Sequence, residues 1–485
     1  MRAGVITAGE TDAVDAATRW AGIILCVASG VILGYGAVRL EGRILLLLAG
    51  VVLVPWLIAM RPLAGLLILL GGTTFLSIFK GLPLVPIKSI HVPDLLLVLL
   101  FGVLTWGVMK GRLRYVHTPL EIPYACLLGA AGVSLLYWTV IGGVNMFEAI
   151  REFKVWLYYS LVLLVPSLAD SQERLRNLTM GCLMVGVLAA LNLIVGAILK
   201  PPALTASEEE IYYGFSGLFG DGGLILVFGC LCIIFAMMLF RGMRFLWMGG
   251  AGLYLVFFLL KFHRHMYVIV ALSLAALIVF AFSGNRERVT RLIRLTALGM
   301  MLLVALITWG PRSLTRYAEL SVNRVESLHG IQSTRTVTLR LLENRHAIET
   351  IREHPLIGIG FAKSYRPAIY GPHDRMNTFI HNGFLWILLK TGWIGFLLFV
   401  WFSWRFVHRG FQSWRQVRDP VLRAVVLGSA VAYVGIAVAN LTSPYFMQDW
   451  GVAALGMMMG ISEGVLHQEA QAFAVAGRPQ DGRAG

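Results

Sequence analysis

His381-Asn382-Gly383 is the tripeptide of this chain best suited to chemistry. An imidazole gains and loses a proton near neutral pH more readily than any other side chain. This one stands at the mouth of an apolar run, HNGFLWILLKTGWIG, in which Gly392 and Gly395 let helices approach closely. An interfacial histidine bonded to a carbonyl would have the same surroundings, so the residue by itself leaves both roles open. A second group is cationic. Arg151, Lys154, Lys261 and Arg264 stand at the ends of apolar blocks on the side where Lys and Arg are otherwise sparse. Cations placed against the sorting trend call for an anionic partner. Glu152 lies between Arg151 and Lys154; a carboxylate so placed stays ionised and weakly basic, which favours pairing over proton transfer.

The elements that must position these groups are membrane helices. Hydrophobic residues make up 58% of the 485, charged residues 14%, and mean hydropathy is +0.75. A soluble domain carries about 25% charged residues. The apolar residues fall into blocks of roughly 17–22, long enough to cross about 30 Å of hydrocarbon. Backbone groups inside such a block must be satisfied within it, so the blocks are helices. Spans are expected near 20–38, 43–60, 62–79, 93–110, 121–141, 153–168, 176–198, 222–240, 244–261, 266–283, 293–310, 383–403, 421–440 and 447–464. The second and third are separated only by Arg61-Pro62 and are candidates for a broken or re-entrant pair. The fold class is therefore an all-α polytopic membrane protein of about 12–14 transmembrane helices with one large, partly helical periplasmic loop.

The formal charge of +15 does not point to nucleic acid, because the cations punctuate the ends of apolar blocks. The cysteines Cys26, Cys126, Cys182, Cys230 and Cys232 lie inside those blocks without metal-ligand spacing, as small buried hydrophobes. The first block, near Trp20, is long enough to span and lacks a small-residue cleavage site.

Orientation follows from the basic loops. With the N-terminus inside, Lys110–Arg114, Arg241–Arg244, Arg286–Arg294 and Arg405–Arg423 are cytoplasmic, while Glu208-Glu209-Glu210 and 441–446 lie outside. The expected organisation is a cytoplasmic N-terminal segment (1–19), a transmembrane bundle (20–310), a large periplasmic loop (311–380), C-terminal transmembrane helices (381–465) and a disordered cytoplasmic tail (466–485). In the outer loop, Val337, Leu341, Leu342, Ile348 and Ile351 recur at helical spacing, interleaved with Arg335, Arg340, Arg345 and Arg352. Ser333 or Thr334 is the expected N-cap, and His354-Pro355 ends the helix. Such a helix suits a membrane surface, with arginines reaching phosphate, or a plain solvated face. Gly358-Ile359-Gly360 comes next, a weak phosphate-loop signal on its own.

Taken in order, Arg335, then Glu353-His354-Pro355-Leu356-Ile357-Gly358-Ile359-Gly360-Phe361, then His381-Asn382 and Gly392 to Gly395, resemble the O-antigen ligase and O-antigen (Wzy-type) polymerase superfamily. Gly214-Phe-Ser-Gly-Leu-Phe-Gly-Asp221 is similar to that family's glycine–aromatic–Asp stretch, and Arg264 to the arginine of its Ser-Arg-Gly turn. The resemblance covers about 210–400; the earlier spans match in hydropathy alone. His263 and His265 replace the family's Ser and Gly, Gly222-Gly223 replaces Pro-Asn, and Lys390 stands where an acidic residue is common.

The resemblance implies a GT-C-like glycosyltransferase of the bacterial inner membrane, with its active site facing the periplasm. It implies transfer of a glycan from an undecaprenyl-diphosphate carrier to an acceptor hydroxyl, with inversion. In that scheme Arg264, Arg335, Arg151 and Lys154 hold the diphosphate and His381 is the base, supported by Asn382, Asp221 and Arg345. No metal or other cofactor is implied, since the chain has no Asp-x-Asp and few outer acids. The partners are the lipid-linked donor, a glycan or lipid A–core acceptor and the bilayer. A long outer loop and many spans favour a polysaccharide polymerase; a ligase acting on lipid A–core is the alternative. A lipid-linked sugar flippase would need mid-membrane charges or paired discontinuous helices, and neither is evident.

Overall fold

The computed structural model describes residues 57–75, 91–199, 223–241, 245–261, 264–282, 335–367 and 377–476. The expected spans at 20–38 and 293–310, most of 43–60 and Asp221 lie outside them. The chain forms two compact units, 1–65 and 66–485. The first is described only over 57–65, which is helical apart from Arg61. The second holds the membrane bundle and the helical segment at 335–367.

The helices are α1 (Pro62–Thr74), α2 (Val92–Met109), α3 (Glu121–Val140), α4 (Met146–Phe153), α5 (Leu161–Leu168), α6 (Gln172–Leu199), α7 (Leu224–Arg241), α8 (Phe245–Lys261), α9 (Arg264–Phe282), α10 (Arg335–Glu353), α11 (Gly383–Ser413), α12 (Pro420–Ala439) and α13 (Asp449–Ala476). There is no strand among the described residues. Among those residues six helices are long and apolar enough to cross a membrane: α2, α3, α6, α7, α11 and α12. The protein is an all-α polytopic membrane protein.

α7 is the centre of the bundle, with every residue from Leu224 to Leu239 buried. Its apolar surface runs all round, as a helix surrounded by helices requires. α12 packs along it, and Gly428 sets the distance: a Cβ there would stand 2.7 Å from Ile233 Cα. α13 covers α5, and α11 lies along α3. Helix starts are capped by side chains that accept the first free N–H groups: Asn145 for α4, Asn382 for α11 and Asp419 for α12.

Three elements differ from expectation. The block at 153–168 is not one straight span; α4 ends at Phe153, a 3-10 helix runs Lys154–Ser160, and α5 comes after it with Pro166 inside. Lys154 and Tyr158, on the tight segment, both grip Asp94 of α2, at 2.6 Å and 2.7 Å. The final helix continues to Ala476, beyond the expected boundary at 465. Polar pairs hold this extension: Glu469 accepts from Gln172 Nε2 and from the Arg418 N–H, and Gln468 donates to the Asp170 carbonyl. α11 reaches Ser413 and is broken at Gly392, which has φ 66° and ψ −171°.

That backbone conformation is essentially confined to glycine and costs other residues on the order of 1–3 kcal/mol. A Cβ at Gly392 would also strike the Leu356 carbonyl. Gly392→Ala is therefore expected to destabilise the protein by about 3 kcal/mol or more, read as a lowered midpoint of thermal unfolding in detergent; an unchanged midpoint would show that the break is not obligatory.

Candidate active site

The break in α11 makes a seat for the turn that comes after α10. Helix α11 runs nine residues, Gly383 to Thr391, before it opens at Gly392, roughly 14 Å of rise. The opening leaves carbonyls without helical partners, and the turn supplies donors. Ile359 N–H donates to Leu389 O at 2.8 Å and Gly360 N–H to Lys390 O at 3.2 Å. In the other direction Trp393 N–H donates to Pro355 O at 2.8 Å. α3 closes the arrangement: Ser134 Oγ bridges Lys390 O and Ile357 O, and Trp138 Nε1–H donates to Gly358 O at 2.9 Å. The glycine pair, in sequence a weak phosphate-loop signal, is thus a docking turn, and Gly358 touches the Leu389 carbonyl where a side chain could not fit.

An ion pair with one fully buried member lies beneath it. Lys390, wholly buried, places Nζ 3.3 Å from Glu152 Oε2 and 3.2 Å from the Lys363 carbonyl. The same Glu152 oxygen accepts the Ala362 N–H at 2.7 Å. Glu152 is therefore paired, but across the fold with Lys390 rather than with its neighbour Arg151. Lys363 sits over the Trp138 ring at 3.6 Å, and burial pushes its ammonium below the ordinary lysine range.

His381 stands at the other end of the same assembly, just before α11. Its backbone N–H and its Nδ1 both meet Glu343 Oε2, at 3.3 Å and 2.8 Å. Glu343 is fully buried in α10, and its second oxygen lies 3.5 Å from Arg366 Nη2. An ionised carboxylate only accepts, so opposite an ionised Glu343 a neutral ring carries its hydrogen on Nδ1 and its lone pair on Nε2. The imidazole itself is 27% exposed. Phe379 packs its ring edge-to-face on the imidazole at 5.1 Å. Asn382 caps α11 by accepting from Phe384 N–H and Leu385 N–H, and Gly383 N–H donates to the Asn440 carbonyl.

The loop at 440–447 also reaches α9. His265 Nε2 lies 2.7 Å from Tyr445 OH, Phe446 N–H donates to Asn440 Oδ1, and the Phe446 ring meets Phe384 of α11. The first turns of α9 and α11 are thereby joined through one loop. Arg264 is the first residue of α9, and Arg335 the first of α10; their side chains lie outside the described atoms. Arg151 is exposed on α4. Lys154 is buried against Asp94. Arg345 is exposed and bonded to Glu349 one turn on, at 3.0 Å. Lys261, at the end of α8, is buried beside a small cavity lined by Thr74, Asn192 and Gly223.

The direct partner of His381, Glu343, is hidden in the sequence. The expected apolar stripe of α10 includes Leu341, Leu342 and Ile348, but all three are exposed. The buried face is Glu343, Ala347 and Ile351, at i, i+4 and i+8. That spacing becomes readable once a carboxylate is admitted to the inner face. Arg340 lies one turn before Glu343, with its Nε buried and lacking a hydrogen-bond partner among the described residues.

Residues 257–400 match the family model described as O-antigen ligase. The match supports the resemblance to the O-antigen ligase and polymerase superfamily, and with it a ligase- or polymerase-type function in general. It spans α9, α10, the docking turn, His381 and the first half of α11. No curated protein matches the chain.

Removing one member of a buried ion pair costs about 3–5 kcal/mol, because the other charge stays behind unpaired. Glu152→Gln and Lys390→Met are each expected to lower thermal stability by that order, and the double variant to recover most of it. Additive losses in the double variant would show that the two charges do not act as a pair.

Proposed function

We propose that this protein is a membrane glycosyltransferase that moves a glycan from an undecaprenyl-diphosphate carrier to an acceptor hydroxyl at the periplasmic face, with inversion and without a metal. The observation that carries the reading is the His381 Nδ1 contact with buried Glu343, inside the segment that matches the O-antigen ligase family. The pairing leaves Nε2 as a proton acceptor on a partly open ring, as a general base requires.

In the proposed step the acceptor oxygen attacks C1 of the donor sugar. The bond from C1 to the phosphate oxygen breaks, and the lipid diphosphate leaves with the electron pair. The acceptor's proton passes to His381 Nε2. Charge that grows on the leaving diphosphate needs guanidinium groups near it. Arg264 and Arg335 open α9 and α10, Arg151 is exposed on α4, and Arg340 lies on the inner face of α10. These four are the proposed cations. Lys154, engaged by Asp94, fixes the segment next to Arg151 instead of meeting phosphate. Arg345, paired on the outer face, takes no part, while Asn382 supports His381 by anchoring the start of α11.

The acceptor is proposed to be a second carrier-linked glycan, which makes the protein a polysaccharide polymerase. The description of the matched family favours the second reading, a ligase acting on lipid A–core. Purified protein given lipid-linked donor alone is expected to build a ladder of lengthening products. Transfer that starts only when lipid A–core is added would assign it as the ligase.

His381→Ala is expected to lower turnover by about 10²–10⁴-fold, the usual worth of a general base, with donor affinity retained. Wild-type turnover in that variant would remove His381 from the mechanism. Arg264→Ala, Arg335→Ala and Arg340→Ala are expected to weaken donor binding, measured by titration in nanodiscs; unchanged affinity in all three would remove the clamp.

A further inference from the structure

We infer that Arg366 is a positioning residue for His381, acting through the charge it maintains on Glu343. The inference rests on the reading of His381 as the base.

The side chains of Glu343 and Arg366 are both fully buried. A carboxylate removed so far from water drifts to its neutral, protonated form unless a cation and hydrogen-bond donors hold it ionised. Its two oxygens divide the work. Oε2 accepts from the His381 N–H and Nδ1, while Oε1 faces the Arg366 guanidinium. Arg366 reaches Glu343 from the segment after the docking turn, and His381 from the start of α11. On its own helix Arg340 lies one turn earlier, and His346 turns to Glu349. Lys390 of α11 is committed to Glu152.

The charge on Glu343 decides what His381 offers. Ionised, it accepts the Nδ1 hydrogen and leaves the lone pair at Nε2. Protonated, it becomes a donor toward Nδ1, and the ring hydrogen moves to Nε2, the nitrogen that must take the acceptor's proton. A neutral Glu343 thus gives the inactive tautomer without moving any heavy atom.

Arg366 is held in register with His381. Tyr365 N–H donates to Asn377 O, and Tyr365 OH donates to Phe379 O at 3.1 Å. These bonds fasten the backbone next to Arg366 to the length of chain that ends at His381. Arg366 Nη1 donates to the Pro367 carbonyl at 3.1 Å, which fixes the guanidinium plane.

The test measures kcat and KM of the full-length protein in nanodiscs across the neutral pH range, with lipid-linked donor. Arg366→Gln is expected to lose about tenfold or more in kcat at neutral pH with little change in KM, and to regain activity as pH rises and Glu343 ionises. Arg366→Lys, which keeps the charge, should restore most of kcat and the wild-type profile. Glu343→Gln, with no carboxyl to titrate, should lose kcat without recovery at high pH. A wild-type kcat and profile in Arg366→Gln would overturn the inference, as would a loss that is equal at every pH or confined to KM. Wild-type protein that transfers nothing from the lipid diphosphate, or a fully active His381→Ala, would overturn the underlying reading as well. An inactive His381→Ala beside an indifferent Arg366→Gln would leave that reading standing and remove Arg366 alone.

Discussion

A spanning helix that opens in mid-course must have its freed backbone groups satisfied by protein, because hydrocarbon offers no partner. α11 opens at Gly392, and the turn from Pro355 to Gly360 supplies the partners. The rest of the site follows from this constraint. The turn can reach the opening only if α10 ends beside α11, and α3 must bring Ser134 and Trp138 to the same level. With α10 so placed, Glu343 faces inward and meets the residue two before α11, His381. The segment from α10 to His381 is therefore clamped to the membrane helices at two levels, by main-chain bonds at the break and by a carboxylate at the helix start.

Buried charge is costly unless it is paired and hydrogen-bonded, and the assembly contains one fully buried carboxylate, Glu343, and one half-buried carboxylate, Glu152, set against a fully buried lysine. Glu343 is held from two directions by His381 and Arg366. Glu152 is held by Lys390 and the Ala362 N–H. Both carboxylates pair with elements distant in the chain, so each helps to fix where α10 and the docking turn sit. A buried pair need not add net stability over apolar residues. What it supplies here is register, since either carboxylate displaced by one position would leave a charge stranded.

The fold class is legible in the sequence because hydropathy is a local property, and blocks long enough to span declare themselves. The helix at Arg335–Glu353 ends where the sequence expects, before His354-Pro355, because that stop is a local proline effect. The break at Gly392 is not legible: a glycine in an apolar run reads equally as a close-packing position, and only the docked turn distinguishes the two. The 3-10 segment at Lys154–Ser160 is hidden because the partner that grips it, Asp94, is sixty residues away. Glu343 escapes any periodicity counted over apolar residues alone, since the inner face of α10 carries a carboxylate between its helical turns. In each case the missing information is a partner distant in the chain.

The pairing of Glu152 bears on its neighbour. In sequence, Arg151, Glu152 and Lys154 look like a self-neutralising cluster. In the fold Glu152 is turned to Lys390 and Lys154 to Asp94. Arg151 is left exposed, and its charge is not cancelled by the carboxylate beside it. Lys390, in a position where the resembled family often has an acid, is what frees it: a carboxylate at 390 would repel Glu152 and push it back towards Arg151. Lys390 thus has its partner in Glu152, and Arg151 stays exposed on α4 beside a carboxylate that is turned away from it.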